Sequence, residues 1–228
     1  MSEPTDARPY GRRAFLGLVA GGLGALAWGE PLWRRINASV LSPVLAPAGL
    51  SPSKGWRIYT VAPTMPVFDP ASWRLRIDGL VERPLELTYE DLLGLPPADQ
   101  VSDFHCVTGW SVEDVRWTGV RFADLLRNAR PLPEARALAF VSAEEPYVDT
   151  LTLEQAHLPE VMLAYRMDSK PLTRPHGAPA RLVIPQMYGY KGVKWVNRIV
   201  ALPRVVDGFW EVRGYDRNAW VGRSNGYG

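Results

Sequence analysis

The 228-residue sequence predicts an α+β domain of mixed sheets with few short helices. Three observations predict it: short alternating or β-branched apolar runs recur along the chain, the helical stretches among them are brief and open on capping residues, and the two kinds do not alternate as a doubly wound parallel sheet requires. Hydrophobic residues make up 46% of the chain and charged residues 22%, a balance that supports one sizeable core and excludes a disordered chain.

The elements follow in order. Trp73-Arg74-Leu75-Arg76-Ile77-Asp78-Gly79 alternates apolar and polar as a half-buried strand does, and Gly79 ends it. Thr88, followed three residues later by Asp91, forms a capping box for a short helix through Leu93. Between Arg121 and Ala129, a helix would bring Phe122, Leu125 and Leu126 onto one face. Leu138 to Val141 reads as a buried strand, and Thr152-Leu153-Glu154-Gln155 repeats the capping logic. Two β-branched runs, Arg181 to Ile184 and Val193 to Leu202, flank a Gly/Tyr-rich loop. From Pro31 to Pro70 the chain is rich in Pro, Ser and Ala, the composition of a linker and an irregular arm; we place the linker and arm at 31–56 and the folded domain at 57–228.

Residues 1–30 carry an address. Gly11-Arg12-Arg13-Ala14-Phe15-Leu16-Gly17 precedes a weakly apolar, glycine-rich run to Trp28, the pattern of a twin-arginine export signal, cleaved or retained as a membrane anchor. That route implies the twin-arginine export machinery as a partner and a periplasmic or extracytoplasmic location. Because it carries proteins already folded in the cytoplasm, it also points to a cofactor. With 26 Lys and Arg against 24 Asp and Glu, bulk nucleic-acid binding is not expected.

Cys106 is the single cysteine, which excludes an intramolecular disulfide, a CxxC redox pair and any multi-cysteine metal site. It lies in Phe104-His105-Cys106-Val107-Thr108-Gly109-Trp110-Ser111, after an expected polar turn. Four readings are open: a small buried thiol, a nucleophile with His105, His157 or His176 as base, a zinc or copper site with those histidines, or a lone thiolate completing a soft metal whose other sulfurs come from a cofactor. A second stretch, His176-Gly177-Ala178-Pro179-Ala180-Arg181 and then Gly189-Tyr190-Lys191-Gly192-Val193-Lys194-Trp195, spaces Arg181 and Lys194 around a Gly-rich loop. This suits a phosphate grip, and equally suits surface charges flanking a hairpin.

Both stretches occur in order. Together, over about Thr60 to Tyr215, they resemble the molybdopterin-binding domain of the sulfite oxidase family, in the form of its exported bacterial branch that includes methionine-sulfoxide reductases. The carrying motifs are Cys106-Val107-x-x-Trp110-Ser111 with Trp117-x-Gly119, then His176-Gly177-x-Pro179-x-Arg181 and Lys191-x-Val193-Lys194-Trp195. The resemblance implies that Cys106 is the thiolate on molybdenum, the pterin supplying two dithiolene sulfurs. It implies that Arg181 and Lys194 hold the pterin phosphate and ring, beside His176 and the backbone of Gly192 and Val193. Ser142, or its neighbour Val141, and Thr60 fall at further pterin contacts. Tyr215 falls over the metal's open face, and His105 stands as a supporting group behind Cys106.

Sulfite oxidases have an arginine where this chain has Thr60, which argues against sulfite as the substrate; the resemblance to the exported branch implies transfer of an oxygen atom to or from a small substrate, with reduction of a sulfoxide-type substrate. Oxidation of sulfite or another small sulfur compound, and a catalytically inactive molybdopterin-binding protein, are the alternatives. The implied electron partner is a membrane cytochrome b or a soluble carrier. Neither a fused haem domain nor a dimerising C-terminal domain is expected.

Overall fold

The structure, a computed structural model, describes residues 55–224, so the expected export signal lies outside the described residues. The elements are β1 (Leu75–Gly79), β2 (Leu85–Leu87), α1 (Tyr89–Gly94), β3 (Ala98–Cys106), β4 (Trp110–Arg121), α2 (Phe122–Ala129), β5 (Ala137–Ser142), β6 (Val148–Thr152), α3 (Leu153–Ala156), β7 (Met162–Met167), β8 (Lys170–Pro171), β9 (Arg181–Val183) and β10 (Val196–Leu202). Single 3-10 turns at Arg174–His176 and Glu211–Arg213 complete them. Among the described residues, no helix is long and apolar enough to cross a membrane.

Two sheets result. The first runs β2-β1-β10-β5-β6, antiparallel except for the parallel pair β1 and β10. The second runs β3-β4-β7-β8, with β9 also paired to β7, all antiparallel.

Strand alternation explains the two cores. On β7 the residues Leu163 and Tyr165 join Leu75, Ile77, Leu138, Phe140 and Ile199 of the first sheet in one core. Met162 and Ala164 face the opposite way and join Trp117, Val183 and Trp56 in a second. Because β7 is covered on both faces, Met162 to Tyr165 are all buried, whereas a strand with one wet face would alternate. Trp56 belongs to the arm, which runs from Gly55 to the start of β1 without helix or strand and covers this second core.

The expected helices form. Thr88 caps α1 through the Asp91 N–H, with the Asp91 carboxylate returning to the Thr88 N–H, and Thr152 and Gln155 do the same for α3. Phe122, Leu125 and Leu126 are the buried face of α2. Strands β2, β3, β4, β6, β7 and β8 go beyond the elements read from the sequence, and Cys106 ends a nine-residue strand instead of following a polar turn. The run from Val193 becomes a strand only at Val196, because Trp195 adopts a left-handed φ of 52° that no strand continues through.

Candidate active site

A cavity of about 510 Å³ opens where the arm, the end of the β3–β4 hairpin, the 189–194 loop and the 209–215 segment meet. Of the sequence-derived candidates, Cys106, Thr60, His176, Arg181, Gly192, Lys194 and Tyr215 line it. Ser142 and Val193 do not: both are buried behind the wall.

Cys106 is half-buried at the end of β3, its Sγ 3.2 Å from the Thr108 hydroxyl. His105 is one residue away and therefore on the other face of the strand, where its Nδ1 meets Ser111 Oγ at 2.8 Å. It does not stand behind the thiol as expected. His157 is exposed beyond α3, its Nδ1 against Leu153 O. Among the described residues, no histidine hydrogen-bonds Cys106 and no three metal-ligating side chains converge. The general-base and zinc readings therefore have no geometry to stand on.

The opposite wall is basic. Arg181, 3% exposed on β9, packs its guanidinium over Phe104 and Trp117, at 5.5 and 5.3 Å from the ring centres. His176 stands edge-on to Trp56 at 4.9 Å. Lys194 donates to Tyr59 O at 2.6 Å and lies 4.0 Å from the Trp195 ring centre. The left-handed Trp195 sets this geometry, held by its indole N–H on Arg174 O at 2.8 Å, while Ser142 Oγ donates to Lys194 O at 2.8 Å. Gly177, at φ 100°, makes room, since a Cβ there would meet Lys194 Cβ at 2.9 Å. Ser142 thus aims Lys194 from behind. The N–H groups of Gly192 and Val193 are taken by the loop's own turns, to Gly189 O and Lys191 O, so neither faces the cavity as a donor.

Burial lowers the pKa of each of these groups, leaving Arg181 charged and His176 neutral near pH 7. Desolvation pulls Arg181 down to about 10. Burial, with Arg181 adding repulsion, takes Lys194 to about 7, and burial with both neighbours takes His176 to about 4. Glu144, a carboxylate on the cavity wall, directs Oε1 to the arm, accepting from the Thr60 hydroxyl and the N–H groups of Val61 and Ala62. Arg181 Nε, His176 Nδ1 and Trp110 Nε1 are buried without a hydrogen-bond partner. Such a wall lacks an anion and an acceptor, which a pterin with a phosphate supplies, so the residues present fit that group.

The wall also sets a pH dependence. Between about 7 and 10.5 for Lys194, and between about 4 and 6.5 for His176, the unfolded chain binds more protons than the folded, cofactor-free one. Stability therefore rises with pH across both windows and is lost as pH falls through them. Millimolar sulfate, compared with chloride at equal ionic strength, is expected to raise the Tm of cofactor-free protein more at about pH 6 than at about pH 9, where Lys194 is neutral. Equal shifts at both pH values in thermal melts would contradict an anion site at Lys194.

A different lysine is fully compensated. Lys191, 1% exposed, donates to Asp149 Oδ1 at 2.5 Å and Glu211 Oε1 at 2.6 Å. Burial opposes its charge, but the two carboxylates hold its pKa up, and burial with Glu211 nearby pushes Asp149 up. This triad ties the 189–194 loop to β6 and to the segment carrying Trp210 and Tyr215. Tyr215 packs against Tyr190 and Trp210 at 5.2 and 4.9 Å, so it is both a wall residue and part of an aromatic cluster. Thr108, Glu144, Trp56 and the Lys191 triad were not found from the sequence. Only Lys191 carried a signal, its place in a basic glycine-rich loop.

Residues 62–210 match the family model described as oxidoreductase molybdopterin binding domain, and the chain belongs to that family of molybdopterin-dependent oxidoreductases. It is 38% identical over 147 residues to the uncharacterized oxidoreductase YuiH of Bacillus subtilis, covering 64% of this chain and 74% of that one. It is 36% identical over 149 residues to the protein-methionine-sulfoxide reductase catalytic subunit MsrP of Gluconobacter oxydans, covering 58% of this chain and 47% of that one. The corresponding subunit of Campylobacter jejuni is 32% identical over 160 residues, covering 63% and 54%. The chain thus spans about half the length of these reductase subunits. Among solved structures, the sulfane dehydrogenase SoxCD of Paracoccus pantotrophus is similar at 29% identity and a TM-score of 0.59, covering 62% of this chain and 41% of that one.

Proposed function

We propose that this chain reduces a sulfoxide-type substrate at a molybdenum held by Cys106, on the extracytoplasmic side of a membrane reached through its twin-arginine signal. The observation that carries this reading is the cavity itself, which sets one thiol across from a buried, uncompensated basic wall. When bound, the molybdenum cofactor supplies oxygen-atom transfer by cycling between two oxidation levels.

The protein's residues do the rest. Arg181, Lys194 and His176 hold the phosphate end of the pterin, with charge-assisted hydrogen bonds from the first two. Ser142 and Trp195 hold Lys194 in place, and Cys106 supplies the protein sulfur. Tyr215 and Trp210 form the wall that the substrate meets, and Thr60, tied to Glu144, closes the arm side without adding a cation that would favour sulfite. Reduction of a sulfoxide consumes two electrons and two protons and releases a sulfide and water. The electrons come from a membrane cytochrome b or a soluble carrier.

Sulfane dehydrogenase is similar in structure, which favours one second reading, oxidation of a small sulfur compound. Purified, metal-loaded enzyme separates the two. Dithionite-reduced viologen is expected to be consumed with methionine sulfoxide, while sulfite fails to reduce ferricyanide; the reverse pattern would replace reductase by oxidase. Arg181→Ala is expected to weaken cofactor retention by about 10–100-fold through loss of its bonds to the phosphate. A fully loaded but inactive Arg181→Ala protein would contradict the anchoring role.

A further inference from the structure

The β3–β4 hairpin places a hydroxyl on the sulfur. Cys106 and Trp110 are cross-strand partners, and the Gly109 N–H donates to Cys106 O at 3.0 Å. Gly109 sits at φ 85°, a conformation that lets the chain reverse within three residues. The reversal carries Thr108 back over the strand end, so that its Oγ1 lies 3.2 Å from Cys106 Sγ with both side chains on the cavity wall. His105 and Ser111 form the equivalent contact on the opposite face, away from the cavity. Among the described residues, Sγ is the hydrogen-bond partner of the Thr108 side chain.

Protonation decides the direction of that bond. Between a thiol and a hydroxyl either group donates, but a sulfur bound to metal is a thiolate with no proton, so the hydroxyl is the donor. We infer that Thr108 is a positioning residue for Cys106: its hydroxyl donates to the metal-bound sulfur, fixes the sulfur's direction into the cavity and withdraws charge from it. This rests on the reading of Cys106 as the protein's ligand to molybdenum. Hydrogen bonds to a ligand sulfur weaken its donation and raise the potential of the metal.

The test uses the full chain produced with its signal in a host that makes the cofactor, as wild type, Thr108→Val, Thr108→Ala and Thr108→Ser. Molybdenum content, the sulfur-to-molybdenum charge-transfer band and the midpoint potential from an EPR-monitored titration are measured. Thr108→Val and Thr108→Ala are expected to shift the potential down and the band to longer wavelength, and Thr108→Ser to restore both. If Val and Ala fail to load while Ser loads fully, the hydroxyl is needed to present the sulfur, which supports the positioning role. Loaded Val and Ala proteins with wild-type potential and band would overturn the inference, as would failure of Ser to load alongside them. Wild-type protein without molybdenum would overturn the reading of Cys106 together with this inference, and the metal content of the wild type tells that outcome from the others.

Discussion

Cys106→Ser is expected to reduce turnover to background while leaving the fold intact. The serine hydroxyl has nearly the shape of the thiol but does not ionise near neutral pH, so a soft metal loses its protein sulfur. The cost to folding is small because Cys106 is half-buried and its side chain's hydrogen bond, to Thr108, is one a serine also makes. A change under about 1 kcal/mol is expected, seen as a Tm within a few degrees of wild type. Methionine-sulfoxide reduction measured per molybdenum atom checks the first half. Full activity in the loaded serine variant would remove Cys106 from the metal.

Lys191→Ala is expected to produce the largest loss of stability. It removes the one ammonium between Asp149 and Glu211, whose carboxyl groups are 2% exposed, and leaves two acids buried side by side. Breaking a buried pair in this way costs about 3–5 kcal/mol, which for a domain of this size is a Tm drop on the order of 10 °C. The triad ties the 189–194 loop to the segment carrying Trp210 and Tyr215, so the aromatic wall should loosen together with that loop. Lys191→Met combined with Asp149→Asn and Glu211→Gln, which removes the charges together, is expected to recover much of the loss. A thermal melt of the single and triple variants decides this, and a single variant as stable as wild type would deny the triad its role.

What the sequence revealed depended on how each residue signals itself. The Thr88 and Thr152 capping boxes and the apolar face of α2 obey local rules, and they appear where local rules put them. Strand β3 hid because its half-buried face carries Ala98, Gln100 and Ser102, which blur the period of two, and so Cys106 was read as following a turn. Arg181, Lys194, His176 and Cys106 were legible through motif order, and they line one cavity.

Ser142 and Val193 were placed by resemblance to within a residue or two of that cavity. Which of two neighbours faces a cavity depends on strand alternation and loop turns, and the left-handed Trp195 could not be read in advance. Glu144 and Thr108 were missed because their partners, the arm turn at 60–62 and a sulfur across a hairpin turn, exist only after folding.

The molybdenum and pterin content of the purified chain, made with residues 1–30 in place in a cofactor-making host, tests whether this cavity holds the cofactor. Elemental analysis is combined with fluorescence of the released, oxidised pterin. Near-stoichiometric molybdenum with one pterin per chain, reduced in Arg181→Ala, is the predicted result. Well-folded protein with neither molybdenum nor pterin would contradict it and return Cys106 to being a half-buried thiol.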